Sequence, residues 1–398
     1  MAEPSSEGLY EVFFSLHDPR QSGKVQHGLA ETLVIIVCGL LVGADTLVEI
    51  EFWAKEKQDW LHQHLRLPHG IPSHDTMGRL LSQMDPREFA AAFQRWVRGQ
   101  FPQLADVVAI DGKTSRRSRG KDQPPLHLVS AFAAQASLVL GQQATSEKSN
   151  EKTAIPELLQ TLSLKGCIVT LDAMGTHAAI AEQIQAREAD YVLAVKDNQP
   201  LLAEAIREFF ETFETDPQST PHSVDETIEK DHGRLETRRC YAFSQLECLV
   251  KPEQWPNLRS FAVVESTREI AEKVTTSRRL YISSLEANAE PLLQAIRSHW
   301  SVENRLHWCL DVAFADDQMR LREGYAANNL AALKHVALNL IRQGTTSRKA
   351  SIKSKRLLAA TSDRYRAQLI GAQTHACDCP GPQGCTPEQN HPRCTTPA

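Results

Sequence analysis

The chain has 398 residues, of which 41% are hydrophobic and 23% are charged, and its formal net charge is −5 at pH 7. These values exclude a disordered chain, a fibrous chain and a protein coated in basic surface, but they leave room for a local basic patch that binds nucleic acid. The length predicts two or three domains with a sizeable buried core.

The first residues show no cationic stretch followed by an apolar core, so we predict no signal peptide and a cytoplasmic protein without a membrane partner. The most apolar run, LVIIVCGLLV at residues 33–42, is too short to span a bilayer and predicts a buried core helix. Five scattered cysteines are typical of small core residues in a reduced compartment: Cys38, Cys167, Cys240, Cys248 and Cys309.

Four more cysteines lie in a tail rich in Pro, Gly and Thr, with two histidines close by. A zinc site there is one interpretation. A flexible tail is favoured because C-x-C is not the C-x2-C spacing of zinc knuckles. The residues concerned are Cys377, Cys379, Cys385, Cys394, His375 and His391.

Residues 1–100 are predicted to form a helical domain, since apolar and aromatic side chains recur there at helical spacing. The segment SHDTMGRLLSQMD at residues 73–85 has two interpretations. It is compatible with the second helix of a helix-turn-helix, which would bring it to DNA, and equally with an ordinary packed helix.

From residue 106 the pattern changes to strands. We predict strands at residues 107–110, 126–134, 137–144, 167–171 and 191–195, with helices before and after the fourth. A hairpin meander followed by parallel crossovers gives an α/β fold: a mixed five-stranded sheet with flanking helices, begun by residues 101–213.

A β-rich insertion is predicted over residues 214–286, beginning with a polar loop at residues 216–225. Residues 287–345 are predicted to complete the core, with a helix through Glu303 and a last helix at residues 326–342. Residues 346–398 are expected to be a basic and then Cys/Pro-rich flexible tail. Because residues 342–366 hold eight basic residues and one acidic residue, this stretch is either an electrostatic footprint for DNA or a solvated tail.

Three acidic residues suggest a site. VVAIDGKTS ends an apolar run at Asp111, and CIVTLDAMG ends another at Asp172, so each predicted strand stops at an aspartate. Glu303 lies in HWSVENRLHW, where a carboxylate among indole and imidazole rings costs several kcal/mol unless a partner offsets it. If the first and fourth strands are neighbours, the aspartates meet at one edge of the sheet and the helix brings Glu303 to them.

Oxygen ligands of this kind suit Mg²⁺ or Mn²⁺. Two such ions about 4 Å apart serve in-line phosphoryl transfer, one activating the attacking oxygen and the other stabilising the leaving oxygen. The alternative is that Asp111 begins an Asp-Gly turn and Asp172 caps a helix. Either alternative is reasonable alone, but the three acids together favour the catalytic interpretation.

Several motifs carry a resemblance to a known family: AIDGKTSRRS, KSNEKTAIPELL, VTLDAMGTH, ADYVLAVKDNQ, DHGRLETR, YISSL and RSHWSVENRLHWCLDVAFADD. Over roughly residues 10–345 the chain resembles the H-repeat-associated family of insertion-sequence transposases, a branch of the DDE transposases with an RNase H-like core. The resemblance implies metal-dependent cleavage at transposon ends and strand transfer to target DNA, with a homodimer expected on the DNA. It implies Asp111, Asp172 and Glu303 as the catalytic and metal-binding residues, with two Mg²⁺ or Mn²⁺ ions.

The chain departs from the related transposases at one position. They carry a lysine seven positions after the glutamate, where this chain has Leu310 followed by Asp311. The basic helper residues therefore cannot be carried over, and Asp311 and Asp317 stay open as alternatives for the third acid. A nuclease that cuts without joining and a non-catalytic DNA-binding descendant stay open as alternative functions.

Candidate DNA contacts surround these acids. After Asp111 come Lys113, Arg116 and Arg117, followed by Arg119 and Lys121; a solvated loop is the alternative. Lys196 and Gln199 are expected to hold phosphate or a flipped base, unless this segment only caps a helix through Asp197 and Asn198. Further candidates are Arg234 and Arg238 on the insertion, Arg297 and His299 before Glu303, and Trp255 and Trp300 for base stacking, with Trp300 interpreted rather as core.

Overall fold

The computed structural model describes residues 8–102, 104–120, 124–145, 151–231, 234–270 and 273–371. Its amino-terminal part is helical, as predicted. Side chains at the preceding residue cap three of these helices: Thr46, Ser73 and Asp85 each accept a backbone N–H of the first turn. The helices are α1 (Leu9–Phe14), α2 (Leu29–Val42), α3 (Leu47–Glu56), α4 (Gln58–His62), α5 (His74–Gln83) and α6 (Pro86–Gln100).

Helix α2 is the core of this part, which confirms the prediction from its apolar run. Its residues are buried almost without exception, and Gly39 lets α3 approach so closely that a Cβ there would lie 2.7 Å from Cγ1 of Ile50. Gly43, at φ +106°, ends the helix in the left-handed conformation that glycine adopts without strain. Taken singly, none of the described helices has both the length and the hydropathy needed to cross a membrane; α2 and α3, bent by 95°, have them only jointly.

Helix α5 is an ordinary packed helix. Met77, Leu80 and Leu81 are buried, and the helix packs against α3 and against α12 (Ala326–Gln343). Residues 63–73 separate it from α4, a connection much longer than the three or four residues of a helix-turn-helix. The helix-turn-helix interpretation is therefore wrong for this segment.

The described strands form one mixed sheet in the order β3-β2-β1-β4-β5-β9-β8-β7-β6. The predicted five-stranded sheet is therefore wrong in extent. Strand β9 pairs with β5 through Val192–Val195, so the strands of the insertion continue the sheet. The strands are β1 (Val107–Ser115), β2 (Leu126–Ala133), β3 (Leu138–Thr145), β4 (Ile168–Leu171), β5 (Asp190–Val195), β6 (Ser223–Asp231), β7 (Arg234–Phe243), β8 (Ser260–Ile270) and β9 (Lys273–Ser283).

Two strand boundaries differ from the prediction in ways that matter for function. Strand β1 continues past Asp111 to Ser115, because β2 pairs with it along this whole length. Strand β6 begins inside the predicted polar loop and pairs with β7 from Ser223 to Asp231. It is an edge strand without a buried face, so no apolar alternation marks it in the sequence.

Helices cover both faces of the sheet. Helices α7 (Glu151–Thr161) and α8 (Ala178–Gln185) lie on one face, and α10 (Ala289–His299) crosses the other, over strands of both the first part and the insertion. Helix α9 (Pro200–Thr215) covers the insertion strands through an aromatic cluster of Phe209, Phe210, Phe213, Phe243 and Phe261. Helix α12 contacts α2, α5, α6 and β3, so it joins the amino-terminal helices to the sheet.

The predicted flexible tail is wrong for its described part. Helices α13 (Ile352–Thr361) and α14 (Asp363–Leu369) pack on earlier helices, and two arginines anchor them. Arg356 is buried and donates to the carbonyl of Leu40 at 2.9 Å and to Asp45 at 2.7 Å. These buried charges cannot serve as a surface footprint for DNA. The cysteine-rich tail, from residue 372, lies outside the described residues.

Arg366 is the more deeply buried of these two arginines. It is 0% exposed, its guanidinium lies 4.0 Å from the ring centroid of Trp60 and 5.4 Å from that of Trp53, and it donates to the carbonyl of Ala359 at 2.7 Å. Cation–π contacts are strongest when they are desolvated, as here. The carboxyl-terminal helices are therefore part of the folded amino-terminal helical unit.

We predict that Arg366→Ala lowers the unfolding free energy by about 2 to 4 kcal/mol, because it removes two cation–π contacts and leaves a cavity. The measurement is urea denaturation followed by tryptophan fluorescence. Arg364→Ala on the same helix removes the same charge from an exposed position and should change stability little. Equal effects of the two substitutions would contradict the anchoring role.

Candidate active site

The register of the sheet places the two aspartates side by side. Strands β1 and β4 are parallel, with Ile110 opposite Leu171, so Asp111 and Asp172 are the next residues on each strand. Asp172 leaves the sheet there and caps a short turn, its Oδ1 accepting the N–H of Met174 at 2.9 Å. Asp111 instead stays within β1, opposite Ser130 of β2, so the proposed Asp-Gly turn is wrong.

Glu303 lies on the helical segment that follows α10. A regular helix was predicted there, but the structure differs. Residues Val302–His307 form a π-helical turn between α10 and α11 (Trp308–Ala313). Within this turn the side chains of Glu303 and His307, four positions apart, are neighbours, and the Nδ1 of His307 lies 3.0 Å from the Oε2 of Glu303. Single π-turns inside helices are frequent at functional sites.

His307 links the helix to the strand. Its Nδ1 also lies 3.6 Å from the Oδ2 of Asp111, and the ring is only 4% exposed. Among the described residues, one group has ligand atoms close enough to hold a metal ion: Asp111, Glu303 and His307, all within 4.8 Å of one another. Carboxylate and imidazole donors fit a divalent cation. The imidazole of His307 stands near Glu303 in the sequence, but no role was predicted for it.

The surroundings of the Asp111 carboxyl group favour the binding of a cation. Burial raises the pKa of Asp111 to about 6, and the negative charges of Asp172 and Glu151 add to this effect, while His307 and the N–H of Gly112 oppose it. Asp172 therefore lies close enough for its charge to act on Asp111, although it is outside the group of three. Concentrated negative charge of this kind is what a divalent ion relieves.

A buried hydrogen-bonded chain supports strand β1 next to Asp111, on the face of the sheet that Gly112 and Thr114 share. His127 bonds through Nε2 to Glu151 at 2.7 Å and through Nδ1 to the hydroxyl of Thr114 at 2.7 Å. Gly112 makes room for it, since a Cβ there would lie 2.4 Å from the Oε1 of Glu151. Sequence reasoning missed this support; the glycine inside a strand, directly after the aspartate, was the available signal.

The alternative third acids have another partner. Lys113, two residues after Asp111 on the same face of β1, contacts Asp311 at 2.6 Å and Asp317 at 3.4 Å. Burial alone would lower the pKa of Lys113, but the hydrogen bond to Asp311 and the surrounding acids raise it overall. This lysine is thus held by protein carboxylates rather than directed towards solvent.

The other predicted DNA contacts fall into two groups. Arg116, Arg117 and Lys196 are exposed, and Lys196 lines a cavity of about 280 Å³ whose wall includes Asp172. The remaining ones are engaged within the protein, as the following contacts show. Gln199 donates to the carbonyl of Thr176 at 3.0 Å, Arg234 contacts Glu236 at 3.6 Å, Arg238 contacts Glu229 and Glu236 at 2.8 and 2.7 Å, and Arg297 pairs with Glu229.

His299 and the two tryptophans also have defined surroundings. His299 bonds through Nδ1 to the hydroxyl of Thr170 at 3.0 Å, and burial lowers its pKa to about 4, so it is a neutral group beside Asp172. Trp300 is 47% exposed with the guanidinium of Arg279 4.7 Å from its ring centroid, so the core interpretation is wrong. Trp255 is buried, which removes it as a stacking platform. Arg119 is exposed, and Lys121 lies outside the described residues.

We predict that Asp111→Asn stabilises the protein in EDTA at pH 8. Because the folded-state pKa is raised from 3.8 to about 6, the stability that this group contributes at low pH is lost as the pH rises through 6. Asparagine avoids this loss, so the variant should gain on the order of 1 kcal/mol or more at pH 8 and less at pH 4.5.

Thermal unfolding at the two pH values measures this effect, and the exposed Asp197→Asn serves as a control for removal of one negative charge. Added Mn²⁺ should raise the unfolding temperature of the parent chain and leave that of Asp111→Asn unchanged. A variant that is less stable than the parent at pH 8 would mean that Asp111 carries no electrostatic cost.

Comparison with known proteins shows the family of the chain. Two family models match, one described as DDE_Tnp_1-associated over residues 10–97 and one described as Transposase DDE domain over residues 102–340. A likeness to the piggyBac transposase synaptic complex with hairpin DNA has a TM-score of 0.40 at 11% identity, covering 92% of this chain and 78% of that one, which is too slight to support a fold assignment.

Two relatives match over nearly their whole length. The chain is 38% identical over 376 residues to "H repeat-associated putative transposase YhhI" of Escherichia coli (strain K12), covering 91% of this chain and 97% of the relative. It is 38% identical over 386 residues to "Putative transposase YncI" of Escherichia coli O157:H7, covering 92% and 95%. With both a family model over most of the chain and full-length relatives, the chain belongs to the H-repeat-associated family of DDE transposases.

Proposed function

We propose that this protein is a metal-dependent DNA transposase that cleaves DNA at the ends of its element and joins the freed strand to target DNA. The observation that carries the proposal is the convergence of Asp111 with Glu303 on one side and Asp172 on the other. We infer an RNase H-like core from the strand order 3-2-1-4-5, with an antiparallel meander followed by parallel strands.

We also propose the division into a helical domain at residues 1–100, a core at 101–213 and 287–345, and an insertion at 214–286 between the two core segments. The change of family model between residues 97 and 102 supports the first boundary. A homodimer on DNA remains a prediction.

The three carboxylates have distinct supports in this proposal. Asp111 is fixed by strands on both sides, Asp172 by the N–H of Met174, and Glu303 by His307. Such support holds acidic groups in place before substrate binds, which lowers the entropic cost of reaching the reactive geometry. Two Mg²⁺ or Mn²⁺ ions held there would activate the attacking oxygen and stabilise the leaving oxygen.

No side chain of the protein needs to act as a nucleophile. Water attacks the phosphodiester in the cleavage step, and the 3′-hydroxyl of the cut DNA attacks in the joining step. The task of the protein is then to orient the DNA, and the exposed Arg116, Arg117 and Lys196 are the cations we propose for its backbone. Arg234, Arg297 and Gln199 would need to leave their present partners to contribute, and His299 would act through Asp172.

We predict that Asp111→Asn, Asp172→Asn and Glu303→Gln each reduce both cleavage and joining at least about 100-fold, because loss of groups that merely support metal ligands already costs about 10- to 100-fold. The assay uses a duplex carrying the end of the element, a plasmid target and Mg²⁺ or Mn²⁺. Asp317→Asn is the control, because its carboxylate faces Lys113 and not Asp111.

The products of this assay distinguish the alternatives. Cut strands without joined products would favour a nuclease, and binding without either product would favour a non-catalytic descendant. Loss of activity in Asp317→Asn with activity retained in Glu303→Gln would reassign the third acid. Unchanged cleavage by Asp111→Asn would remove the mechanism.

We predict that Lys196→Ala weakens binding of end-containing and unrelated duplexes alike, and lowers the salt dependence of binding by about one ion. The reason is that an exposed lysine at the rim of the cavity beside Asp172 would contact phosphate and no base edge. Fluorescence anisotropy at several salt concentrations provides the measurement. The control is Lys165→Ala: the ammonium of Lys165 pairs with Glu188 at 2.6 Å, so its removal should leave the salt dependence of DNA binding unchanged. An equal loss of DNA affinity in both variants would contradict a phosphate contact by Lys196.

A further inference from the structure

We infer that His307 is itself a ligand of the ion held by Asp111 and Glu303, which makes the two ion positions of the proposed site chemically unequal. One position has a nitrogen donor from His307, and the other lies towards Asp172, whose carboxylate supplies oxygen donors. Imidazole suits transition-metal ions better than Mg²⁺, so the first position should prefer Mn²⁺. This inference rests on the proposed function for the presence of metal ions in the site.

The distances fit shared coordination. Donor atoms that occupy neighbouring positions about 2.1 Å from one ion lie about 3 Å apart. The Nδ1 of His307 lies 3.0 Å from Glu303 and 3.6 Å from Asp111, so one nitrogen faces both carboxylates. A histidine that served only to orient Glu303 would need to face that residue alone.

The ring of His307 is fixed in this direction. The residue is almost fully buried, with 4% of its surface exposed. The π-helical turn that contains it is anchored by the buried Leu306 and followed by the buried Leu310. Its position therefore comes from packing and does not depend on a bound ion. Ligands held in this way need little rearrangement when the ion binds.

The other nitrogen of the ring has a suitable environment for the remaining proton. When Nδ1 gives its lone pair to an ion, the proton lies on Nε2, which is buried and has no hydrogen-bond partner among the described residues. His307 lines a very small cavity together with Ser130, Asp316 and His335, and the Nδ1 of His335 is likewise buried, with no hydrogen-bond partner among the described residues. Histidine ligands usually donate their second N–H to such a group or to a water molecule between them.

The decisive measurement is pulsed electron paramagnetic resonance of Mn²⁺ bound to the full-length protein without DNA. A directly bound imidazole gives a ¹⁴N modulation, and protein labelled with ¹⁵N-histidine must shift it to the ¹⁵N frequency, so the test does not depend on any variant folding. We expect this signal in the parent chain, its loss in His307→Gln and its retention in His299→Gln, whose ring bonds to Thr170.

Mn²⁺ affinity provides the second readout. We expect His307→Gln to weaken Mn²⁺ binding at least about tenfold and Mg²⁺ binding less, which would reduce the preference for Mn²⁺. Mn²⁺ bound without a nitrogen signal would overturn the role of His307 and leave the proposed function standing. A nitrogen signal in a protein that neither cuts nor joins DNA would support His307 and overturn the proposed function. No binding of Mn²⁺ at all would overturn both.

Discussion

The register between β1 and β4 is the constraint on which the site depends. Because Ile110 lies opposite Leu171, two aspartates follow at the same level of two adjacent parallel strands. Burial raises the pKa of Asp111 to about 6, and the neighbouring negative charge of Asp172 adds a smaller part of this cost. The fold tolerates this cost because long strands and helices on both faces over-determine the position of β1.

One face of β1 also sets the position of the helical segment that carries Glu303. Alternate residues of the strand face this segment, and each meets a partner of complementary character. Asp111 faces His307, Lys113 faces Asp311, and the hydroxyl of Ser115 donates to Asp316 at 2.8 Å. Asp316 is buried and accepts from Lys334 of α12 at 3.0 Å. These complementary partners favour the observed register, since a shift by one row would place either Asp111 against Asp311 or Lys113 against His307.

Sequence patterns predicted the elements of the core well, because its strands are apolar on both faces and its helices have regular apolar spacing. They did not predict features that depend on distant partners. Asp111-Gly112 has the composition of a turn, and only pairing with β2 makes it strand. The π-helical turn at Glu303 has no Pro or Gly to mark it. Arg366 belongs to a basic stretch that looks solvated, and its partners, Trp53 and Trp60, lie some 300 residues earlier in the chain.

For the candidate site, the three acids could be proposed from the sequence, where apolar runs that end in aspartate are local signals. The expected burial of Glu303 among aromatic rings is wrong, since Glu303, Trp300 and Trp308 are exposed. The role of His307 could not be predicted from the sequence, since the residues next to it in the chain provide no reason for it to face Asp111. The same holds for the acids that surround Lys113: Asp311 and Asp317 are near Glu303 in the chain and are equivalent to it by composition. What separates them is a lysine about 200 positions earlier, which only the folded chain places beside them.

The insertion helps to position the helical segment that carries Glu303. Strand β9 bonds to β5, and α10 packs over strands of the insertion and over β1 and β4 before it leads into the turn with Glu303. The side chain of Arg297, near the end of α10, reaches Glu229 of β6. The insertion strands therefore help to hold the helical segment that carries Glu303 in its position relative to Asp111, whose own strand is held by β2 and β4.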